Sequence, residues 1–522
     1  MPGYWFREDM HLPRPVSPLA RTVLIPPLIG ALQRGMTRTG GPGHLLESRV
    51  EHGYAYVGFR DTAPLRAPPP PEALAAMQAA FAEVPRRWRE AWLPEMQRLH
   101  AQLRAIAPPG ASAAEAARGL RQLRPVHDRA WDIHFDLCMP MLGGRFGLED
   151  FLAQAGLQDA AAAANALLGG LGNDIDDIDA ALVELGAQVA ERPELRALVE
   201  DGAPEELLAA LEALPASDPI GRAFRAVWPR VAERPQGFEL FEPTWGEDPA
   251  PLARALAGGH AAAKQAEALR AQVAQRREAA EARVRAALPA TLRGPFEGLL
   301  AANRASWPLM QTHHYWIDEL VNGLTRLALV RAAQPLVGHG LAAAEEVVFL
   351  ELQELHGALE GQRIPRGLLE ARRRERDAHL RITPPSELGE PDAAVWQNPM
   401  LTKFYGLRPP HAAEAGLLRG LAASPGMLRA RARVVAQEGE LDALEQGEVL
   451  VATTTEPSWT TLMARAGALV VESGGTLCHA AVVAREFGVP AVVGARGATR
   501  AVKTGDILEV DGAAGTVKIV EA

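Results

Sequence analysis

The pattern of apolar and polar positions changes twice along the chain. Up to about residue 62 it is mixed, and residues 50–59 hold β-forming side chains that predict a short strand or hairpin. From residue 72 to about residue 376, apolar positions recur every three and four residues among Ala, Leu, Arg and Glu, which predicts a mainly α-helical region. From about residue 418 the apolar positions gather in short runs, a pattern typical of a small α/β domain.

These changes predict four segments. Residues 1–71 are a lead-in that packs on the helical domain, and residues 72–382 form that domain. Prolines at positions 384, 385, 391, 409 and 410 mark residues 383–417 as a linker, because proline interrupts regular structure. Residues 418–522 form the small α/β domain, and a compact domain on such a tether reaches two distant sites.

Local signals predict several individual elements. Ser112 followed by Glu115 has the form of a capping box, which predicts a helix start. Residues 261–288 predict either a long coiled-coil arm or an ordinary amphipathic helix. In the α/β domain, strands are predicted at residues 429–435, 449–452, 468–472, 491–494, 507–510 and 516–520, and helices at residues 457–465 and 477–487.

Composition narrows the class of protein. The 522 residues carry a net charge of −10, which argues against a nucleic-acid partner, since that would require a basic face. No run approaches the roughly 18 apolar residues that span a bilayer, and the first residues do not form a secretory signal. Cys138 and Cys478 are the only cysteines, and we expect both to be reduced. We therefore expect a cytoplasmic protein without a membrane segment.

One stretch of the α/β domain has the order strand, glycine turn, helix, strand, and His479 falls in the first turn of its helix. Glycine lets an anion approach the backbone, and the N-terminus of a helix favours negative charge. A neutral imidazole attacks phosphoryl groups, and a typical histidine is mostly neutral at cytosolic pH. The stretch predicts that His479 carries a phosphoryl group, with phosphate bound by Ser473, Gly474, Gly475 and Thr476.

The neighbours of His479 allow simpler interpretations. In the simplest alternative, His479 carries no phosphoryl group and only caps its own helical turn. Arg485 lies six residues further on, so it faces partly away from His479 and is expected to form a salt bridge. Cys478 is expected to be a small packing residue rather than a nucleophile, because adjacent residues do not share a helix face.

A second group of candidates lies in the helical region. His314 and Asp318 are four residues apart and share a helix face, so they could act as a general base and the acid that orients it. The same pair could bind a metal, or belong to an aromatic core helix with hydrogen-bonded histidines. We expect no metal, and we assign acceptor binding to the neighbouring aromatic and histidine side chains, namely Trp131, His134, His313, Tyr315 and Trp316.

Residues 474–481, with residues 484–486 and 488–494, resemble the phosphohistidine motif of the PEP-utilising enzymes. This resemblance implies that His479 is phosphorylated and that its domain swivels between active sites. Residues 127–135, 241–249 and 313–319 are similar, more weakly, to the substrate domain of rifampin phosphotransferase and to the histidine-carrying subunit of phenylphosphate synthase. The fold class implied is a large mainly α-helical substrate domain followed by a small α/β swivelling phosphohistidine domain.

Other parts of the family's pattern are not recognisable in the sequence. There is no Gly-rich phosphate loop followed by lysine, and no ATP-grasp lysine with acidic metal ligands. The resemblance then implies that ATP and Mg²⁺ are bound by a separate ATP-grasp subunit, and that this chain passes phosphate to a hydroxyl of a small, aromatic or hydrophobic acceptor. Two alternatives are a subunit of a PEP- or pyruvate-linked phosphotransferase, and a non-catalytic binding protein that kept the fold.

Overall fold

The computed structural model describes residues 3–41, 43–62, 65, 71–257, 259–398, 400–409, 414, 416–435, 438–455, 459 and 463–521, without the side chains of residues 259–263, 265, 266, 438, 439, 442 and 521. A large helical part is followed by a smaller part with a β-sheet at the C-terminal end, as the periodicity predicted. Among the helices formed by these residues, none has the length and apolar character that crossing a membrane requires.

The described residues form helices along most of the first 400 positions. The α-helices are α1 Pro18–Val23, α2 Ile25–Arg38, α3 Pro71–Arg87, α4 Leu93–Ala105, α5 Ala113–Leu120, α6 Leu123–Gln154, α7 Ala160–Leu167, α8 Asp174–Ala190, α9 Pro193–Asp201, α10 Pro204–Ala213, α11 Pro219–Val231, α12 Ala250–Leu256, α13 Gly259–Ala287, α14 Ala290–Ser306, α15 Leu309–His313, α16 Leu320–Ala333, α17 Leu352–Leu359, α18 Leu368–His379, α19 Ala393–Gln397, α20 His479–Phe487 and α21 Ala498–Ala501.

Shorter helical turns and strands complete the fold. Wider π-helical turns are Trp88–Trp92, His314–Glu319 and Met400–Phe404, and 3₁₀ turns are Gly43–Leu45, Gln334–Leu336, Ala344–Phe349 and Glu438–Ala443. The strands are β1 Tyr4–Arg7, β2 Leu46–Glu51, β3 Tyr54–Phe59, β4 Glu387–Gly389, β5 Leu417–Arg419, β6 Leu421–Ser424, β7 Met427–Val435, β8 Val449–Ala452, β9 Ala468–Val471, β10 Ala491–Val493, β11 Ile507–Asp511 and β12 Thr516–Glu521.

The chain divides into two compact units. The first unit comprises Met1–Gly143, Arg230–Glu247 and Leu309–Asp392, and the second comprises Gly144–Pro229, Asp248–Pro308 and Ala393–Ala522. Both units contain helices of the region that the sequence assigned to one helical domain. The four segment boundaries drawn from the sequence stay a prediction.

The first unit combines helices with a small antiparallel sheet. Its described strands pair in the order β2-β3-β1-β4, and Tyr4 and Tyr56 of this sheet are fully buried. The predicted hairpin at residues 50–59 is confirmed by β2 and β3. The predicted capping box is also confirmed, since the Ser112 backbone N–H donates to Glu115 Oε2 at 2.8 Å and the Glu115 N–H donates back to Ser112 Oγ at 3.3 Å.

The second unit contains the larger sheet, in the order β5-β12-β11-β7-β8-β9-β10-β6. Strands β7, β8, β9 and β10 run parallel, and every residue of β8 and β9 is buried. A strand that is covered on both faces has a continuous run of apolar residues, so these strands could be predicted from the sequence. All six predicted strands are confirmed. Of the helix predicted at residues 457–465, residues 457, 458 and 460–462 lie outside the described residues.

Helix α13 corresponds to the stretch for which two interpretations were open. It packs against α7, α8 and α20 within the second unit. Its buried side chains include Val273, Ala280 and Val284. This packing favours the amphipathic helix over a free arm.

Candidate functional site

His479 is the first residue of α20, directly after a loop that leaves strand β9, so the predicted placement in the first helical turn is confirmed. Cys478 is the N-cap residue in extended conformation, and its carbonyl accepts the Val482 N–H at 3.0 Å. The imidazole of His479 is half-buried. We call residues 472–478 the histidine loop.

The histidine loop is held by the backbone of the Met400–Phe404 turn. The Gly475 N–H donates to the Phe404 carbonyl at 2.7 Å, and the Thr476 N–H donates to the Lys403 carbonyl at 2.9 Å. A Cβ atom on Gly475 would lie 2.0 Å from the Lys403 oxygen and 2.5 Å from the Phe404 oxygen. Only glycine therefore allows this close approach.

This pairing bears on the predicted phosphate site. The Gly475 N–H, which the sequence assigned to a phosphate, donates to a carbonyl oxygen instead, and so does the N–H of Thr476, whose hydroxyl the sequence assigned to the phosphate. The Ser473 hydroxyl donates to the Thr453 carbonyl at 2.6 Å, and Gly474 takes a left-handed φ of +85°. Phosphate binding by these residues stays a prediction, and at Gly475 and Thr476 it requires the Met400–Phe404 turn to move away.

The Met400–Phe404 turn is in turn attached to helix α6. Lys403 Nζ lies 2.7 Å from Glu149 Oε1 and 5.2 Å from the centre of the Phe146 ring. Glu149 also pairs with the fully buried Arg145 at 3.2 Å. The side chain of Lys403 thus anchors the turn whose carbonyls pair with the histidine loop.

Arg485 stabilises the same loop through hydrogen bonds to carbonyl groups, rather than through the salt bridge that the sequence predicted. Its guanidinium donates to the Thr476 carbonyl at 2.8 Å and to the Ala423 carbonyl at 2.9 Å. Burial, together with the charge of Arg145, lowers the pKa of Arg485 to about 10. The sequence could not indicate this contact, because it joins the helix to a carbonyl of the preceding loop rather than to a side chain of opposite charge.

Near the C-terminal end of α20, the carboxyl group of Glu486 lies close to other carboxyl groups. Burial and the nearby carboxylates of Asp176 and Asp179 raise the pKa of Glu486 well above its usual value. Burial also raises the pKa of Asp176 to about 6. Gly488 ends the helix in left-handed conformation, and Arg276 of α13 donates to its carbonyl at 2.9 Å. The helix that carries His479 therefore ends among carboxyl groups that repel each other when ionised.

In the first unit, the predicted pair His314 and Asp318 does come together, and His134 joins it. The buried Asp318 carboxylate contacts Nδ1 of His314 through one oxygen and lies 2.9 Å from Nδ1 of His134 through the other. Burial alone would raise the pKa of Asp318, but the two histidines outweigh it and hold that pKa well below the usual value. About 28% of the His314 side chain is exposed, so it is the accessible member.

His313 and Cys138 complete what we call the Asp318 cluster, which comprises His134, Cys138, His313, His314 and Asp318. Cys138 Sγ lies 3.2 Å from His313 Nε2 and 3.7 Å from His134 Nε2. His313 Nδ1 lies 2.8 Å from the Leu309 carbonyl oxygen. Burial, reinforced by the two neighbouring histidines, lowers the pKa of His313 well below its usual value.

The aromatic residues predicted to bind an acceptor separate into two groups. Trp131 packs against His134, with ring centres 5.0 Å apart. Trp316 instead stacks on His100 at 5.8 Å with nearly parallel rings. Burial raises the pKa of Tyr315, although the positive charges of Arg234 and Arg230 act to lower it. Acceptor binding by these residues stays a prediction. Of the three aromatic residues, Trp131 is the one for which the structure gives a contact with a member of the cluster.

Sequence reasoning missed some members of this environment. Cys138 follows His134 by four residues on α6, so the spacing could have revealed it. His11 gave no such signal, because it lies in an irregular segment. Its Nδ1 is 2.7 Å from Glu8 Oε1, and its ring is 5.1 Å from that of Phe238. Burial lowers the pKa of His11, but Glu8 and, to a smaller extent, Asp318 outweigh this effect and raise the pKa.

The first unit also contains a cavity of about 360 Å³ that the sequence did not indicate. Arg376 lies 3.9 Å from the centre of the Phe241 ring, and Arg373 lies 5.1 Å from that of Phe349. Charged side chains of both signs line the cavity beside these rings, namely Arg326, Arg373, Arg376, Glu345, Glu346 and Asp377. The cavity therefore does not present the bare aromatic faces expected for a hydrophobic acceptor.

We predict that Gly475→Ala separates the histidine loop from the Met400–Phe404 turn. The new Cβ would overlap two backbone oxygens that cannot rotate aside as a side chain could, so the turn must shift. Hydrogen exchange should become faster at the amides of residues 475 and 476. Gly298→Ala is the matched control, since a Cβ there meets nothing within 4 Å. Unchanged exchange in Gly475→Ala would contradict the pairing.

We predict that Glu486→Gln stabilises the protein at neutral pH. A carboxyl whose pKa is higher in the folded chain binds more protons there, so the free energy of unfolding falls as pH rises from about 4.5 through the folded pKa. The variant should melt at higher temperature than wild type at neutral pH, and the difference should shrink towards pH 4.5. The exposed Glu278 of α13 provides the control Glu278→Gln, for which no such trend is expected. A lower melting temperature of Glu486→Gln at neutral pH would refute the repulsion.

Two parts of the chain match known protein families. Residues 444–515 match the family described as PEP-utilising enzyme, mobile domain, and residues 137–307 match the rifampicin phosphotransferase fourth domain. His479 lies inside the first range. Of the Asp318 cluster, only Cys138 lies inside the second, so the family matches do not describe the rest of the cluster.

Several curated relatives align with the chain. It is 30% identical over 487 residues to chondramide synthase cmdD of Chondromyces crocatus, an alignment that covers 86% of this chain and 12% of that protein. It is 24% identical to the uncharacterized phosphotransferase YvkC of Bacillus subtilis, over 100% of this chain and 62% of that protein. It is 37% identical to rifampicin phosphotransferase of Streptomyces sviceus, over 37% of this chain and 21% of that protein.

The chain therefore spans less than two thirds of the length of these relatives. The resemblance seen in the motif around His479 is confirmed by the family match. The chain therefore resembles the PEP-utilising enzyme mobile domain in the part that contains His479, at the start of α20, and the rifampicin phosphotransferase fourth domain in residues 137–307.

Proposed function

We propose that this chain is the histidine-carrying part of a phosphotransferase. The observation that carries the proposal is the position of His479, at the first turn of α20 and inside a PEP-utilising mobile domain. Relatives named rifampicin phosphotransferase and phosphotransferase YvkC support this class of activity. In this proposal His479 accepts a phosphoryl group from a donor and passes it to a hydroxyl group of an organic acceptor.

The donor in this proposal is ATP, bound with Mg²⁺ by a separate ATP-grasp subunit. Mg²⁺ requires oxygen ligands in near-octahedral geometry. In the part of the chain that the structure describes, each group of His, Cys, Asp or Glu side chains close enough to share an ion includes two histidines, which do not suit Mg²⁺. By analogy with the family, the β-phosphoryl group moves to His479 as its bond to AMP breaks, water takes the γ-phosphoryl group, and AMP and phosphate are released.

The histidine loop also has features that support a phosphorylated state. The dipole of α20 and its first N–H groups favour an anion at this end. In addition, the N–H groups of Gly475 and Thr476 would become available if the Met400–Phe404 turn withdrew. A phosphoryl group on His479 could then receive them as hydrogen-bond donors.

Acceptor activation is assigned to His314 and Asp318. Asp318 contacts His314 at Nδ1, so a proton at Nδ1 leaves the lone pair at Nε2. That nitrogen can remove the proton from an acceptor hydroxyl as its oxygen attacks the phosphorus. Trp131, beside His134, supplies an aromatic surface in keeping with an aromatic or hydrophobic acceptor. Both the acceptor class and these roles are part of the proposal.

We predict that His479→Ala abolishes phosphorylation of the chain. Wild type incubated with [β-³²P]ATP, Mg²⁺ and an ATP-grasp subunit should gain an acid-labile label, as expected for a phosphorus–nitrogen bond, and His479→Ala should gain none. His339→Ala, which changes an exposed histidine of the first unit, should be labelled like wild type. Equal labelling of His479→Ala would refute the carrier role. Label from [³²P]PEP without ATP would replace ATP by PEP as the donor.

We predict that Asp318→Asn separates the two half-reactions. Labelling of His479 should be unchanged, because Asp318 belongs to the other unit. Transfer from phosphohistidine to an added phenol should slow by about 10²–10⁴-fold, the usual contribution of a general base. Asp132→Asn is the control, since Asp132 pairs with Arg34 and lies outside the cluster. An unchanged transfer rate in Asp318→Asn would remove this pair from the mechanism.

A further inference from the structure

The Asp318 cluster contains three buried side chains whose donor atoms converge. One ligand atom from each of His134, Cys138 and His313 lies within 4.8 Å of the other two. Cys138 Sγ is 3.2 Å from His313 Nε2 and 3.7 Å from His134 Nε2. All three side chains are buried, and His313 is completely so. The proposed phosphotransfer uses none of the three as a reacting group.

The other nitrogen of each histidine lies close to an oxygen atom. His313 Nδ1 is 2.8 Å from the Leu309 carbonyl oxygen, which can only accept a hydrogen bond. His134 Nδ1 is 2.9 Å from a carboxylate oxygen of Asp318. A proton on each Nδ1 leaves the lone pair on each Nε2, directed to Cys138. Metal-binding histidines in proteins are held in this way, by a carbonyl or carboxylate on the far nitrogen.

The spacing fits a tetrahedral site. A zinc–sulfur distance of about 2.3 Å and a zinc–nitrogen distance of about 2.0–2.1 Å place sulfur and nitrogen about 3.6 Å apart at a tetrahedral angle. The two observed separations, 3.2 and 3.7 Å, lie on either side of that value. Two neutral imidazoles and a thiolate are the ligand types that Zn²⁺ prefers.

A second possible ligand set, His313, His314 and Asp318, fits less well. The Asp318 carboxylate already contacts a histidine through each of its oxygens. It therefore serves better as the partner that orients His134 and His314 than as a ligand itself.

We propose that His134, Cys138 and His313 bind a Zn²⁺ ion, with the fourth coordination position left to water or another small ligand. The site can be tested apart from phosphorylation of His479, because none of its residues lies in the second unit with His479. Without metal, the Cys138 thiol donates a hydrogen bond to His313 Nε2. Metal binding therefore replaces the thiol proton with a cation.

The test uses the full chain after treatment with a chelator. Titration with Co²⁺, a spectroscopic substitute for Zn²⁺, should give one bound ion per chain, a thiolate-to-cobalt charge-transfer band in the near ultraviolet and the intense visible bands of a tetrahedral site. Added Zn²⁺ should remove these bands, and Mg²⁺ should not. Cys138→Ser should lose the charge-transfer band. Cys478→Ser, which changes the other buried free cysteine, should keep it.

X-ray absorption of the zinc-loaded wild type provides a measurement that does not depend on the folding of any variant. One sulfur and at least two nitrogen neighbours at the bond lengths given above would support the site. Absence of stoichiometric binding, a shell with no sulfur, or an unchanged band in Cys138→Ser would overturn it. No phosphoryl donor is present in these measurements, so their failure would leave the labelling test of His479 unaffected, and the converse also holds.

Discussion

The contact between the backbone at Gly475 and the carbonyl oxygens of Lys403 and Phe404 determines the state of the histidine loop. It leaves no room for a side chain, and it engages two N–H groups beside the start of α20. Arg485 fixes the same loop from the other side through the Thr476 carbonyl. Because backbone atoms on both sides are involved, the loop can present these donors to an anion only after the Met400–Phe404 turn has moved.

A second constraint acts in the first unit, where one buried carboxylate serves two histidines. Burying a charge is costly unless partners compensate it, and Asp318 has two. This arrangement fixes the orientation of His134 and His314 together. The same carboxylate therefore connects the proposed general base with the proposed zinc ligands, so that a change at Asp318 should be felt by both. Double-mutant comparison of the two readouts would separate these effects.

The two constraints act at the sites of the two proposed half-reactions. The second unit contains His479 and most of the residues that the family models match, whereas the first unit contains the whole Asp318 cluster, of which those matches cover only Cys138. The proposed carrier role of His479 therefore rests on geometry and relationship together. The roles proposed for His314 and Asp318 rest on geometry and chemistry alone.

The sequence by itself determined the helical and α/β character of the chain, the strands β7 to β12 and the place of His479. These follow from local signals: buried parallel strands give continuous apolar runs, and a glycine turn before a helix is a short-range pattern. It also predicted the meeting of His314 and Asp318, four residues apart on one helical face. Helices α1 and α2 were not predicted, because prolines crowd the mixed N-terminal stretch.

Only the tertiary structure decided which distant groups join these local patterns. The approach of Lys403 to the histidine loop, the contact of Arg485 with Thr476, and the convergence of Cys138 with His313 each join residues that no helical or strand period relates. Such contacts arise from the packing of separate elements, whereas periodicity reports only the faces of a single element. The position of His479 at the start of a helix was therefore predictable from the sequence, but the partners that restrain its loop were not.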